Sequence, residues 1–300
     1  MSHAEGSYYL PEPSPWPLIG SIGLLLTTGG FAFALTSGTD GHMGNMAVMY
    51  AGFIVLAYML FGWFGTVIDE SEGGKYNAQV DTSFRMGMMW FIFSEIMFFA
   101  AFFGALFYAR ELAGPWLGGA GNNASTHALL WSNFNFNWPL LDLPGKTSAH
   151  GAEFSKPEGV IGAWGVPFYN TLILLSSGLT VTWAHWGLKK GNRQQLIIGL
   201  FLTVALGFIF VYMQAHEYMH AYTELNLKLS SGTYGSTFFM LTGFHGLHVT
   251  IGAIMLAVML VRSMKGHFTA KHHFAFEAAS WYWHFVDVVW LGLFILVYWL

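Results

Sequence analysis

Long apolar runs and short polar breaks alternate along this chain. The runs fall at 16–36, 46–68, 84–109, 160–186, 195–216, 233–262 and 276–300, and each is uncharged or nearly so. Each reaches the ~20 residues needed to cross ~30 Å of hydrocarbon at ~1.5 Å per residue. The pattern predicts seven transmembrane helices. Membrane strands would need shorter, alternating segments, and none is read. The sixth run is the longest, from Leu229 to Val261 without a formal charge, so its helix is expected to tilt or to extend past the lipid. The fold class expected is an all-α integral membrane protein.

The breaks divide the chain. Residues 1–15 form an N-terminal tail with His3, Glu5 and Glu12 but no basic stretch of the kind that opens a cleavable signal, so the chain is expected to enter the membrane through its own helices. Residues 69–83, DESEGGKYNAQVDTS, form a hydrophilic linker between a two-helix unit at 16–68 and five helices at 84–300. Within the latter, 110–159 reads as a long outer loop rich in Gly, Asn, Trp and Pro, suited to capping a face or meeting a partner.

Composition sharpens this picture. Apolar residues make up 54% of the chain and charged residues 9%, with a mean hydropathy of +0.48. A soluble globule dresses its surface with roughly 25% charged residues, so much of this surface must face lipid. The net charge of -4, with no basic run, excludes nucleic acid as a partner. The absence of cysteine excludes disulfides, thiolate zinc sites, iron–sulfur clusters and cysteine-bridged copper pairs. With the N-terminus inside, the inner loops hold Lys75, Arg85, Lys189, Lys190, Arg193, Arg262, Lys265 and Lys271, and the outer ones Arg110, Lys146, Lys156 and Lys228. The excess of basic residues favours that orientation, and seven crossings then put Leu300 outside.

Four polar groupings inside the runs are candidates for chemistry. Glu95 sits mid-helix in WFIFSEIMFFAAFFGALFY. A carboxyl there should face the bundle interior and keep its proton, either as a proton-linked switch or as neutral glue between helices. His245 and His248, three apart in GFHGLHV, share one helix face and suit a metal, a haem or simple interhelical hydrogen bonds. Glu277, Trp281 and His284 lie on one stripe, with Asp287 one turn on, as a proton relay or a satisfied interhelical set. Lastly, His216-Glu217-Tyr218-Met219-His220 is a literal H-E-x-x-H, the signature of a zinc metalloprotease. It falls at the end of a membrane run, and no downstream Asp or Glu stands in an obvious third-ligand context, Glu224 being only four residues on in a polar segment.

Several stretches settle on one family. PSPWPL (13–18), FSEIMFF (93–99), NTLILLSSGLTVTWAHW (170–186), GTYGSTFFMLTGFHGLHVTIG (232–252) and HFAFEAASWYWHFVDVVWL (273–291) resemble cytochrome c oxidase subunit III, in the family's order from Pro13 to the C-terminus. The resemblance implies a non-redox accessory subunit of a proton-pumping terminal oxidase that reduces O2 to water. Such a subunit packs against catalytic subunit I, stabilising it and sustaining proton uptake, with subunit II a further partner and a respiratory supercomplex in prospect. Haem and copper belong to those partners, and phospholipid is the only ligand implied here. The two-helix unit is expected to lean from the five-helix bundle around a lipid-filled cleft. The resemblance places Glu95 at the family's carbodiimide-reactive carboxylate, Arg262 at a lipid-phosphate arginine and Trp63 at an aromatic lining the cleft. Gly65 and Asp69 stand where the mitochondrial form has arginines. The long 110–159 loop points to a bacterial inner membrane, the mitochondrial inner membrane being the alternative. The family reads QASEY where this chain has QAHEY (214–218), so His216 completes the metalloprotease pattern as a local substitution.

Overall fold

The structure, a computed structural model, describes residues 9, 11–36, 39–145 and 156–300. The rest of the N-terminal tail, and residues 146–155 of the long loop with Lys146, lie outside the described residues. The described chain is helical, with no strand among the described residues. The seven long helices are α1 (Trp16–Thr36), α2 (Thr39–Glu72), α3 (Ala78–Phe107), α6 (Val166–Lys189), α7 (Arg193–Thr223), α8 (Thr233–Lys265) and α9 (Phe274–Leu293); α4 (Gly114–Leu117) and α5 (Ala124–Leu130) are short.

Six of the seven are long and apolar enough to cross a membrane. The exception is α6, which is long enough but carries Asn170, Thr171, Ser176, Ser177, Thr180 and Thr182. Ser176 is exposed, but Thr171, Ser177 and Thr180 make hydrogen bonds to neighbouring helices. Trp283 Nε1 donates to Ser177 Oγ at 2.9 Å, Trp290 Nε1 to Thr171 Oγ1 at 2.9 Å, and Thr180 meets Thr203 at 2.7 Å. The face of a helix that packs on its neighbours can carry polar groups that lipid would reject, while Tyr169, Leu172, Leu179 and Trp186 lie on the exposed face of α6.

The long segment expected as loop at 110–159 is partly helical. The helix of α3 continues as a wider π turn over Tyr108–Ala113, and Pro115 then sits in the first turn of α4, where its missing N–H costs no hydrogen bond. Conversely, residues 160–165, expected in a helix, are non-helical, because Pro167 starts α6 after Gly165.

Packing divides the chain into two compact units, Met1–Phe84 and Arg85–Leu300. In the first, α1 and α2 approach through small residues. A Cβ on Gly62 would fall 1.9 Å from the Trp16 ring, and one on Gly52 2.5 Å from the backbone of Thr27. Trp16 Nε1 donates to Thr66 Oγ1 at 3.0 Å across the same seam. After α2, Tyr76 donates to Glu70 at 2.8 Å, and burial reinforced by that carboxylate holds the phenol well above its ordinary range. In the second unit the core is aromatic. Trp283 and Trp290 are fully buried with Phe210, Phe238 and Phe276, and Gly207 and Gly252 give way to the Trp283 ring.

Candidate functional site

Glu95 lies in the middle of α3 and His248 in α8, and the structure brings them together. Glu95 Oε2 is 2.8 Å from His248 Nε2, while His248 Nδ1 is 2.6 Å from the carbonyl of Phe244 one turn back. A carbonyl only accepts, so Nδ1 must carry a hydrogen. The other nitrogen then faces the carboxyl with either a lone pair or a proton. Two acceptors at 2.8 Å would repel, so one proton lies between Glu95 and Nε2, whichever atom holds it. The ring of Phe99 meets the imidazole edge-on at 5.0 Å, and Tyr282 stacks on it at 6.3 Å. The carboxyl thus joins α3 to α8 through an imidazole that is itself packed among aromatic rings.

His245, one turn before His248, does not join it at a common ligand point. It is fully buried, with Nε2 3.2 Å from the carbonyl of Val286 and its ring against Phe210 and Trp290. The shared helix face read from the spacing splits between neighbours: His248 serves α3 and His245 serves α9.

On α9 the expected stripe separates into two places. His284 Nδ1 stands 3.5 Å from Asp287 Oδ2, and its Nε2 3.3 Å from Thr182 Oγ1. Asp287 is buried against Gly178 of α6, where a Cβ would fall 2.4 Å from Oδ2, so glycine is what lets the carboxyl seat there. One full turn and more below, Glu277 belongs to another cluster. Its Oε2 is 2.5 Å from Arg85, while Oε1 faces His273 Nε2 at 3.3 Å and His185 Nε2 at 3.5 Å. His273 and Glu277 were legible as an i, i+4 pair. His185 and Arg85 carried no spacing signal, since they arrive from α6 and α3.

The H-E-x-x-H residues do not converge. His216 and His220 are exposed, and His220 Nδ1 pairs with Glu224 at 3.1 Å. Glu217 points the other way into the bundle, buried, where it accepts the Tyr298 hydroxyl at 2.7 Å. A metalloprotease needs its glutamate beside the metal-bound water, and here Glu217 is buried and taken by Tyr298 while His220 is paired with Glu224. Among the lipid candidates, Arg262 is buried in the last turn of α8 with its guanidinium 4.6 Å over the Phe268 ring, next to exposed Val261 and Met264. Trp63 on α2 is half-exposed and stacked on Phe64.

Against known proteins, the family model described as Cytochrome c oxidase subunit III matches residues 6–142 and 145–300. Curated proteins named cytochrome c oxidase subunit 3 are similar along the whole chain. Those of Pongo abelii and Carassius auratus are each 40% identical, and that of Equus caballus 39%, every alignment covering 100% of this chain and 99% of the relative.

Proposed function

Because this chain belongs to the cytochrome c oxidase subunit III family, we propose that it stabilises catalytic subunit I, sustains proton uptake and holds structural phospholipid. It is an accessory subunit of a terminal oxidase of the respiratory chain, and the haem and copper of that enzyme sit in other subunits. The observation that carries the structural reading is the closed Glu95–His248 pair, a carboxyl spent on joining α3 to α8. A relay would need that carboxyl to hand its proton onward, whereas here it is paired with an imidazole whose other nitrogen is held by the Phe244 carbonyl.

Subunits I and II are the partners in this reading, with a respiratory supercomplex beyond them. The chain lies in a bacterial inner membrane, N-terminus cytoplasmic and C-terminus periplasmic, and lipid fills the cleft that the family resemblance implies. In this reading the two-helix unit at 16–68 and the five-helix bundle at 84–300 remain the two parts, but α2 runs to Glu72 and α3 starts at Ala78, so residues 73–77 are the non-helical connection. Arg262 supplies a guanidinium for a lipid phosphate, which can be gripped by two N–H groups at once. Trp63 offers an aromatic wall to acyl chains. Support comes from the exposed apolar side chains of α2, among them Phe61, Trp63 and Phe64, which only lipid or a partner can cover.

The test is to purify the complex through a tag on this chain in mild detergent, then record its reduced-minus-oxidised spectrum, subunit content and phospholipid. Stoichiometric haem with subunits I and II is expected, and Arg262→Ala should lower retained phospholipid. Absence of haem from an intact preparation, or unchanged lipid in the variant, contradicts the corresponding part.

A further inference from the structure

The cluster around Glu277 stands apart from the Glu95–His248 pair, and its distances differ in a telling way. The Glu95–His248 separation of 2.8 Å is that of a hydrogen bond. At Glu277 the two imidazole nitrogens lie 3.3 and 3.5 Å from the same carboxylate oxygen, beyond the ~2.7–3.2 Å of an N–H···O bond. Both Nε2 atoms are buried, and neither makes a hydrogen bond among the described residues. In tetrahedral coordination, ligands at ~2.0–2.1 Å from a zinc ion are about 3.3 Å from one another. The three donor atoms, His185 Nε2, His273 Nε2 and Glu277 Oε1, all lie within 4.8 Å of each other.

The surroundings prepare the donors. His273 Nδ1 is 3.0 Å from the carbonyl of Thr269, which fixes the hydrogen on Nδ1 and turns the Nε2 lone pair toward Glu277. Arg85 takes the other carboxylate oxygen and so orients Oε1 toward the imidazoles. His185 is braced by Phe276, whose ring centroid is 5.3 Å away. We propose that His185, His273 and Glu277 form a binding site for a divalent transition metal, best suited to Zn2+, with an open position for water. Two of the three donors are imidazole nitrogens and the third is a carboxylate oxygen. The site therefore selects an ion held by imidazole coordination, and disfavours Ca2+ and Mg2+, which depend on oxygen ligands.

The experiment uses the whole oxidase complex, purified by a histidine-free tag, stripped with chelator and reloaded with Zn2+ alone. Total zinc should fall by the same one equivalent per complex in His273→Gln and in His185→Gln taken separately, both of which leave the Arg85–Glu277 pair in place. Equal zinc in wild type and variants overturns the site. Should a variant fail to assemble, a zinc-edge anomalous map of the loaded wild-type complex decides: density between the three donor atoms supports the site, and none there overturns it. Neither readout depends on lipid binding or on the role of Glu95.

Discussion

The α1–α2 pair and the bundle of α6–α9 are drawn from the same apolar alphabet but held by different means. Of the membrane-spanning stretch of α2, 6% is buried within this chain, against 61% for α9. The pair meets along glycines with backbones close, and Trp16–Thr66 is a hydrogen bond at its seam. The bundle instead interlocks buried indoles with hydroxyls, Trp283 with Ser177 and Trp290 with Thr171. Between helices in lipid no hydrophobic force draws apolar faces together, so close packing and hydrogen bonds must supply the cohesion. The pair spends its large side chains outward, on lipid or partners, and the bundle spends them inward, on itself.

That contrast can be broken at either end. Trp283→Ala should do most harm, because it empties the space that Gly207 and Gly252 leave for the ring and strands Ser177. A loss of about 3–5 kcal/mol is expected, read as early thermal dissociation of the subunit from the purified complex. Gly62→Val drives a side chain into the Trp16 ring and should cost about 1–3 kcal/mol, with damage confined to α1–α2 by hydrogen exchange. Glu95→Ala leaves His248 Nε2 without its partner and should cost about 1–3 kcal/mol, visible as a lowered dissociation temperature. Trp63→Ala sharpens the comparison from the other side. Its half-exposed ring contributes within about 0.5 kcal/mol to the fold, while phospholipid retained on the complex should fall.

Much of this architecture was legible because lipid imposes a length and a hydropathy on every crossing. The bounds of α1 coincide with the apolar run 16–36. Helix ends beyond the lipid were not, since α2 runs on to Glu72 and α7 to Thr223 through residues as polar as any loop. Glu95 announced itself as a carboxyl out of place, but its partner lies 153 residues away and no local rule connects them. The spacing of His245 and His248 correctly put both on one helix, yet period alone does not say that they face different neighbours. The H-E-x-x-H string shows the same limit: Glu217 is spent on Tyr298, a contact that exists only once α7 meets the chain that follows α9.

The account turns on whether the Glu95 carboxyl holds helices together or passes protons, and the pair of variants Glu95→Gln and Glu95→Ala separates the two. A glutamine amide can still donate to His248 Nε2 but cannot relay a proton. The measurement is proton translocation per electron in reconstituted complexes, alongside their dissociation temperatures. The account predicts that Glu95→Gln keeps near wild-type stability, electron transfer and proton stoichiometry while losing carbodiimide labelling, and that Glu95→Ala is destabilised. A Glu95→Gln complex that is as stable as wild type yet no longer translocates protons would contradict it.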